Sequence, residues 1–312
     1  MKVYRGLNGL KNSFSSPAVT LGNFDGVHLG HRHLIEGLKK KALELGGQAL
    51  VLTFDPHPVR VLRPEASPPL ITPLDQKLKL LEENGIDGVI LAEFTKEFAS
   101  QHPAAFVNDI LSDTLNAGFV LVGHDFTFGK GKEGTIDSLA SFGKEAGFEV
   151  EVAHALTLGG EIISSTRIRE LIKSGDVNKA ASFLGRPYNI EGMVVKGHGR
   201  GKSLGFPTAN IDFKAELIPQ DGVYAVNVIL GGQKYNGISN IGMKPTFGDE
   251  ERTVEVHIFE FDESLYGREI DLQFVDRVRE EIRFEDQISL ARQIKIDILS
   301  AKDMLKRDCI ET

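Results

Sequence analysis

Short apolar runs alternate with longer amphipathic ones over the first half of the chain. The runs 18–21, 49–54, 88–91, 119–122 and 148–153 predict strands, and the segments 34–45, 74–84, 104–115 and 136–146 between them predict helices. Leu34, Leu38, Ala42 and Leu45 share one helical face, and Thr72-Pro73 offers a capping hydroxyl followed by a proline at the start of the second helix. Strands alternating with helices predict a parallel, doubly wound sheet whose ligand sites lie beyond the C-terminal ends of the strands.

The pattern changes after a helical segment that ends at Gly185-Arg186-Pro187, where glycine and proline mark an exit. Beyond it the runs 190–196, 223–230, 235–241, 253–261 and 269–275 are β-rich, and Gly231-Gly232 signals a tight turn. Helical spacing returns only at 288–305. Strands without intervening helices predict a small antiparallel barrel closed by one helix. The expected fold class is therefore α/β plus β, with a doubly wound domain over 1–185 and a barrel domain over 186–312.

Composition narrows the partners. The formal net charge of -8 argues against nucleic acid, whose phosphate backbone needs a basic face. The single cysteine, Cys309, excludes an intrachain disulfide and a cysteine metal cluster, which suits a reducing compartment. The first residues, interrupted by Arg5, Asn8, Lys11 and Asn12, do not form a secretory signal, and no apolar run is long enough to cross a bilayer. A cytoplasmic protein with no membrane partner is expected.

The first predicted strand runs into Gly22-Asn23-Phe24-Asp25-Gly26-Val27-His28-Leu29-Gly30-His31 and then into a helix. Such a strand, turn and helix start delivers backbone N–H groups and a positive dipole end to one point, which suits a phosphate. His28 and His31, three residues apart, become neighbouring donors, and Gly30 lets an anion approach. A zinc site of His28, His31, His33 and His57 is weaker, because no Cys or Glu stands at ligand spacing nearby. Ile163-Ser164-Ser165-Thr166-Arg167-Ile168-Arg169 is a second anion-binding pattern, with hydroxyls at a helix start and guanidinium groups one turn on.

In the second half, Gly197, Gly199, Gly201, Lys202 and Gly205 belong to a glycine-rich basic loop that lacks P-loop spacing. Phe206-Pro207-Thr208-Ala209-Asn210 follows. Thr208 and Asn210, two residues apart in extended chain, point the same way and offer hard oxygen ligands to Mg²⁺. Alternation in Thr253-Val254-Glu255-Val256-His257-Ile258 makes Glu255 a solvated residue on pattern alone.

The histidine stretch resembles the His-x-Gly-His signature of nucleotidylyltransferases, and the Ser-Ser-Thr start with Arg169 resembles their second signature. With Phe24-Asp25-Gly26 leading into the histidines and Pro207-Thr208-Ala209-Asn210 in the barrel, the whole chain resembles the bacterial bifunctional riboflavin kinase and FMN adenylyltransferase family. That resemblance implies that ATP is the co-substrate, that riboflavin is phosphorylated to FMN, and that FMN is adenylylated to FAD and pyrophosphate. It also implies ATP contacts at Gly22, Asn23, Phe24, Asp25, Gly26, Gly30, Ser164, Ser165, Thr166, Arg169 and the glycine loop. Catalytic roles fall on His28 and His31. Thr208 and Asn210 would serve Mg²⁺ and the phosphates, and Glu255 would be the base on the flavin's terminal hydroxyl. Thr53-Phe54-Asp55-Pro56-His57-Pro58 and Val122-Gly123-His124-Asp125 resemble flavin-side segments, which implies contacts at Phe54, His57 and Asp125. Two rivals stand beside this reading: an adenylyltransferase for another phosphorylated metabolite, and a non-catalytic flavin or nucleotide sensor.

Overall fold

A computed structural model describes residues 1–196, 205–245 and 250–311. The chain divides into two compact units, Met1–Ser164 and Ser165–Thr312, a division that falls earlier than the border expected at residue 185.

In the first unit β1 (Lys2–Arg5), β2 (Ala18–Leu21), α1 (Leu29–Leu45), β3 (Ala49–Asp55), α2 (Pro58–Leu62), α3 (Leu74–Glu83) and β4 (Gly88–Glu93) follow in order. Next come α4 (Lys96–Ala99), α5 (Pro103–Ala105) running into a π-wound segment (Phe106–Thr114), β5 (Phe119–Gly123), α6 (Ile136–Ala146) and β6 (Glu149–Ala153). A two-stranded hairpin of β7 (Thr157–Leu158) and β8 (Glu161–Ile162) ends the unit. The main sheet is parallel throughout, with order β1-β4-β3-β2-β5-β6. Sequence alternation predicts β2 to β6 but not β1, a polar edge strand, and it predicts an ordinary α-helix where the chain is π-wound.

Alternation along each strand builds two cores. Val19, Leu21, Leu50 and Leu52 face a layer that includes Val107, Ile110, Leu111 and Leu139, whereas Ala18, Ala49, Val51 and Val89 face Leu34, Ile35, Leu38, Leu80 and Leu81 of α1 and α3. The sheet is thus covered on both sides, as a parallel sheet requires. Strand order reverses at β2, whose neighbours are β3 on one side and β5 on the other. Ligand crevices open at such a reversal, and here both flanking segments, Gly22–His31 and Val122–Asp125, carry the motifs singled out from the sequence.

The second unit starts with α7 (Ser165–Lys173) and α8 (Val177–Leu184). It continues through β9 (Tyr188–Val195), β10 (Ala209–Phe213), β11 (Gly222–Leu230), β12 (Gln233–Pro245), β13 (Glu250–Ile258), β14 (Glu269–Glu280) and α9 (Gln287–Glu311). The six strands close into an antiparallel barrel of order β10-β13-β12-β11-β14-β9. Gly231 and Gly232 take φ of 57° and 83°, so the two-residue link between Leu230 and Gln233 is the mirror-image turn that matches strand twist. A layer of Val223, Ala225, Ile238 and Val275 lies under Ala301 and Leu305 of α9. That helix is also anchored by the carboxylate of Asp297, which accepts from the Arg279 guanidinium at 2.9 and 3.0 Å.

Candidate active site

His28 is not inside the first helical turn, as its spacing predicts, but caps it. Its backbone is extended at φ -73° and ψ 173°, and its Nδ1 accepts the N–H of His31 at 3.3 Å. With Nδ1 used as an acceptor, the neutral ring carries its hydrogen on Nε2, a donor for an anion. The His28 and His31 rings stack at 3.6 Å between centroids and 14° between planes. Gly30 makes this packing feasible: a Cβ there would stand 3.2 Å from two atoms of the His28 ring. The His28 cap takes the N–H of His31, and the N–H groups of Leu29 and Gly30, which have no intrahelical acceptors, complete an anion-binding corner with the helix dipole.

The rest of the loop is a frame for that corner. Phe24 is 1% exposed and tilts against His31 with ring centroids 5.0 Å apart, while its φ of 50° marks a sharp bend. A Cβ on Gly22 would stand 3.2 Å from the Phe24 ring. The buried carboxylate of Asp25 accepts the N–H groups of Ile71 at 3.0 and 3.1 Å and Thr72 at 3.2 Å. Gly26 N–H in turn donates to Thr72 Oγ1 at 3.2 Å. Thr72 therefore serves this loop instead of capping α3, whose cap position is Pro73 without a side-chain hydrogen bond. Asn23 contributes its carbonyl, which accepts from Thr53 Oγ1 at 3.3 Å and from Lys77 Nζ at 3.2 Å.

Burial holds the His31 imidazole well below the usual histidine pKa, and the neighbouring His28 and Lys77 lower it further. His31 Nδ1 is buried without a hydrogen-bond partner among the described residues. The His31 imidazole is thus neutral in the resting protein at neutral pH.

The residues expected to face the flavin lie at the same edge of the sheet. Phe54, the last residue but one of β3, packs edge-on against Phe94 at 5.3 Å and Phe98 at 5.6 Å. The contacts continue through Phe106, Phe128 and Phe126 at 6.1, 5.5 and 5.7 Å. Sequence reading singled out only Phe54 of this aromatic wall. His57 caps α2, with Nδ1 accepting Val59 N–H at 3.2 Å, and Asp125 is exposed after β5. Ser164 closes the first unit, and Ser165, Thr166 and Arg169 open α7 in the second.

In the barrel Asn210 stands directly opposite Glu255, and Asn240 flanks Glu255 on the other side. Directly opposed residues share a face. Ala209, Ile211, Val254 and Val256 are buried, so Asn210 and Glu255 project from the other face of their strands. Thr208 Oγ1 lies 3.2 Å from Glu255 Oε2, and His257 Nδ1 lies 2.8 Å from Pro207 O, which fixes the approach to β10. The structure thus brings Thr208, Asn210 and Glu255 together. Gly205 precedes this segment, while Gly197, Gly199, Gly201 and Lys202 lie outside the described residues. Among the described residues no group of three His, Cys, Asp or Glu side chains could hold a metal ion, and no helix is long and apolar enough to cross a membrane.

Comparison with known proteins agrees with this geometry. The family profile for FAD synthetase matches residues 11–167, and that for riboflavin kinase matches residues 184–305. The bifunctional riboflavin kinase/FMN adenylyltransferase of Haemophilus influenzae is 37% identical, over 97% of this chain and 98% of its own. That of Escherichia coli strain K12 is 37% identical over 97% of both, and that of Bacillus subtilis strain 168 is 38% identical over 92% of both. A crystal structure named as a macrolide-efflux protein from Streptococcus pneumoniae superposes with a TM-score of 0.88 at 30% identity, covering 97% of this chain and 99% of that one. With both profiles in chain order and the relatives aligned nearly end to end, this chain belongs to the bifunctional riboflavin kinase/FMN adenylyltransferase family.

Proposed function

We propose that the first unit's anion corner is where adenylyl transfer is stabilised and that the barrel row of Thr208, Asn210 and Glu255 is the riboflavin kinase centre. The observation that carries the first assignment is the stacked His28–His31 pair at the start of α1, beside the strand-order reversal of the sheet. In adenylyl transfer a phosphate oxygen of FMN bonds to the α-phosphorus of ATP, and the bond from that phosphorus to the departing pyrophosphate breaks. Negative charge builds on the phosphoryl oxygens. His28 Nε2–H and the N–H groups of Leu29 and Gly30 donate to it without reorganising. Ser164, Ser165, Thr166, Arg169 and the loop residues Gly22, Asn23, Asp25, Gly26 and Gly30 are assigned to ATP, and the wall that includes Phe54 and Phe128, with His57 and Asp125, to the flavin.

In the kinase step Glu255 takes the proton of riboflavin's terminal hydroxyl as that oxygen bonds to the γ-phosphorus, and ADP leaves. Thr208 hydroxyl, Asn210 amide oxygen and the Glu255 carboxylate form a hard-oxygen donor set that fits Mg²⁺. That ion takes one or two protein ligands and keeps water and phosphate as the rest. Thr208 and Asn210 would hold it, and when bound it neutralises polyphosphate charge. The protein's own part is to place hydroxyl, base and phosphate chain along one barrel edge.

The experiment is His28→Ala assayed for both products. Losing one preorganised donor costs roughly a hundredfold to a thousandfold in rate. FAD formation from supplied FMN should fall by that factor while FMN formation from riboflavin continues. Equal loss of both activities in a folded protein would refute the assignment.

A further inference from the structure

The mechanism above leaves one buried charge without a task. Lys77 sits on α3 at 8% exposure, a rare place for an ammonium group. Its hydrogen bonds go to two neutral oxygens, Asn23 O at 3.2 Å and Thr53 Oγ1 at 3.4 Å, and these two groups are themselves joined at 3.3 Å. Asn23 is the second residue after β2, and Thr53 lies near the end of β3. The ammonium therefore ties the exits of two neighbouring strands together at the point where the chain turns toward His28. A purely structural tie between a carbonyl and a hydroxyl needs no charge, and burying a charge for it is costly.

The arrangement of charges suggests what the ammonium is for. His31 is held neutral, so it adds no standing positive charge to the anion corner. Lys77 is close enough to His31 to disfavour a proton there. Burial lowers the pKa of Lys77 itself, while the carboxylates of Asp25 and Asp55 raise it. Asp25 is already engaged by the N–H groups of Ile71 and Thr72, and Asp55 is exposed at the end of β3. Neither is a hydrogen-bonded counter-ion to Lys77 among the described residues. This buried cation beside the corner is thus partly uncompensated, and an incoming polyphosphate would complete the balance.

We propose that Lys77 is a positioning residue for adenylyl transfer: its buried ammonium locks the turn that aims His28 and His31, and it supplies the standing positive charge beside them. The inference rests on the assignment of adenylyl transfer to the His28–His31 corner. It makes Lys77 act through the loop and through the field, not by touching the reacting atoms.

The test uses the full chain and two readouts, the rate of FAD formation from FMN and ATP across pH, and the titration of the His31 ring followed by NMR. Lys77→Met should lower the FAD-forming rate by about a hundredfold, the scale of a small misplacement of catalytic groups. Riboflavin phosphorylation by the same preparation should not change. Removing the ammonium also removes a cause of the low His31 pKa, so the His31 titration and any limb of the pH profile that follows it should move to higher pH, toward the ordinary value of 6.5. Lys77→Arg keeps the charge and should leave the His31 titration low. A merely structural lysine would slow the reaction without moving the titration.

A Lys77→Met protein with a normal FAD-forming rate and an unmoved His31 titration overturns the proposal, as does a His31 titration that rises equally in Lys77→Arg. If the methionine variant unfolds, Lys77→Gln decides on the same two readouts, because it keeps a donor to Asn23 and Thr53 and removes only the charge. His28→Ala run in parallel separates the two ideas. If that variant retains FAD formation, the corner itself is misassigned. If it loses FAD formation while the Lys77 variants behave as wild type, only the role of Lys77 fails.

Discussion

Cutting the chain at residue 165 or at residue 186 should give two barrels of different stability, and the difference follows from what α8 buries. Val177, Ala180, Phe183 and Leu184 are at most 1% exposed, and α8 packs on β14 and β9 of the barrel. Just before it Gly175, at φ of 81°, passes so close that a Cβ would stand 2.9 Å from both Arg277 Cδ and Tyr224 Oη. Fully burying Val177, Phe183 and Leu184 contributes roughly 5 to 9 kcal/mol by area. That figure is an upper bound, because the unfolded chain already buries some of this surface. Even a third of it, about 2 to 3 kcal/mol, is a large share of a domain's total stability and moves a urea midpoint by about 1 M. Equilibrium urea unfolding of fragments 165–312 and 186–312, followed by circular dichroism, makes the comparison. The longer fragment should unfold at higher urea, phosphorylate riboflavin and make no FAD. Equal midpoints would refute the reasoning and return α7 and α8 to the first domain.

At the kinase centre, Glu255→Gln keeps side-chain size and reach toward Thr208 but removes basicity, so FMN production at saturating substrates should fall while ATP affinity and FAD production from supplied FMN persist. Near-normal kinase turnover would make Glu255 the solvated strand carboxylate that its alternation implies. Asn210→Ala should instead weaken Mg·ATP binding, seen as a raised KM for ATP that added Mg²⁺ partly restores; a defect confined to turnover and indifferent to Mg²⁺ would remove Asn210 from the metal site.

Much of the fold was legible because its strands alternate and its glycines stand at turns. Helix 136–146 and strand 18–21 agree with the sequence reading to the residue. Gly231-Gly232 marked its hairpin for a backbone reason that holds in any context. The His28–His31 corner was legible for a similar cause, since a strand, a glycine-spaced turn and a helix start are local. What escaped depended on contacts made at a distance in sequence. Phe206–Asn210 was read as a ligand motif, and its last two residues also begin the barrel strand Ala209–Phe213, whose one face serves the core while the other carries Asn210. Phe94, Phe98 and Phe106 join Phe54 only when β3, β4 and the chain before β5 converge.

Lys77 is the sharpest case of this kind. On α3 it follows Gln76 and precedes Leu78, and nothing in helical periodicity tells a solvated lysine from a buried one. Its burial comes from β2 and β3 ending side by side, so that Asn23 and Thr53, 30 residues apart, present two oxygens to one ammonium. The same logic applies to α7 and α8. Local punctuation at Gly185 suggested a domain border, because a helix does end there with φ of 68°. The riboflavin kinase profile begins at 184, beside that glycine, while the apolar face of α8 is matched by β9 and β14, which come after it, so by buried surface this helix packs with the barrel. Ser165, Thr166 and Arg169, which resemble the second nucleotidylyltransferase signature, are therefore mounted on a helix whose neighbour is held by the barrel.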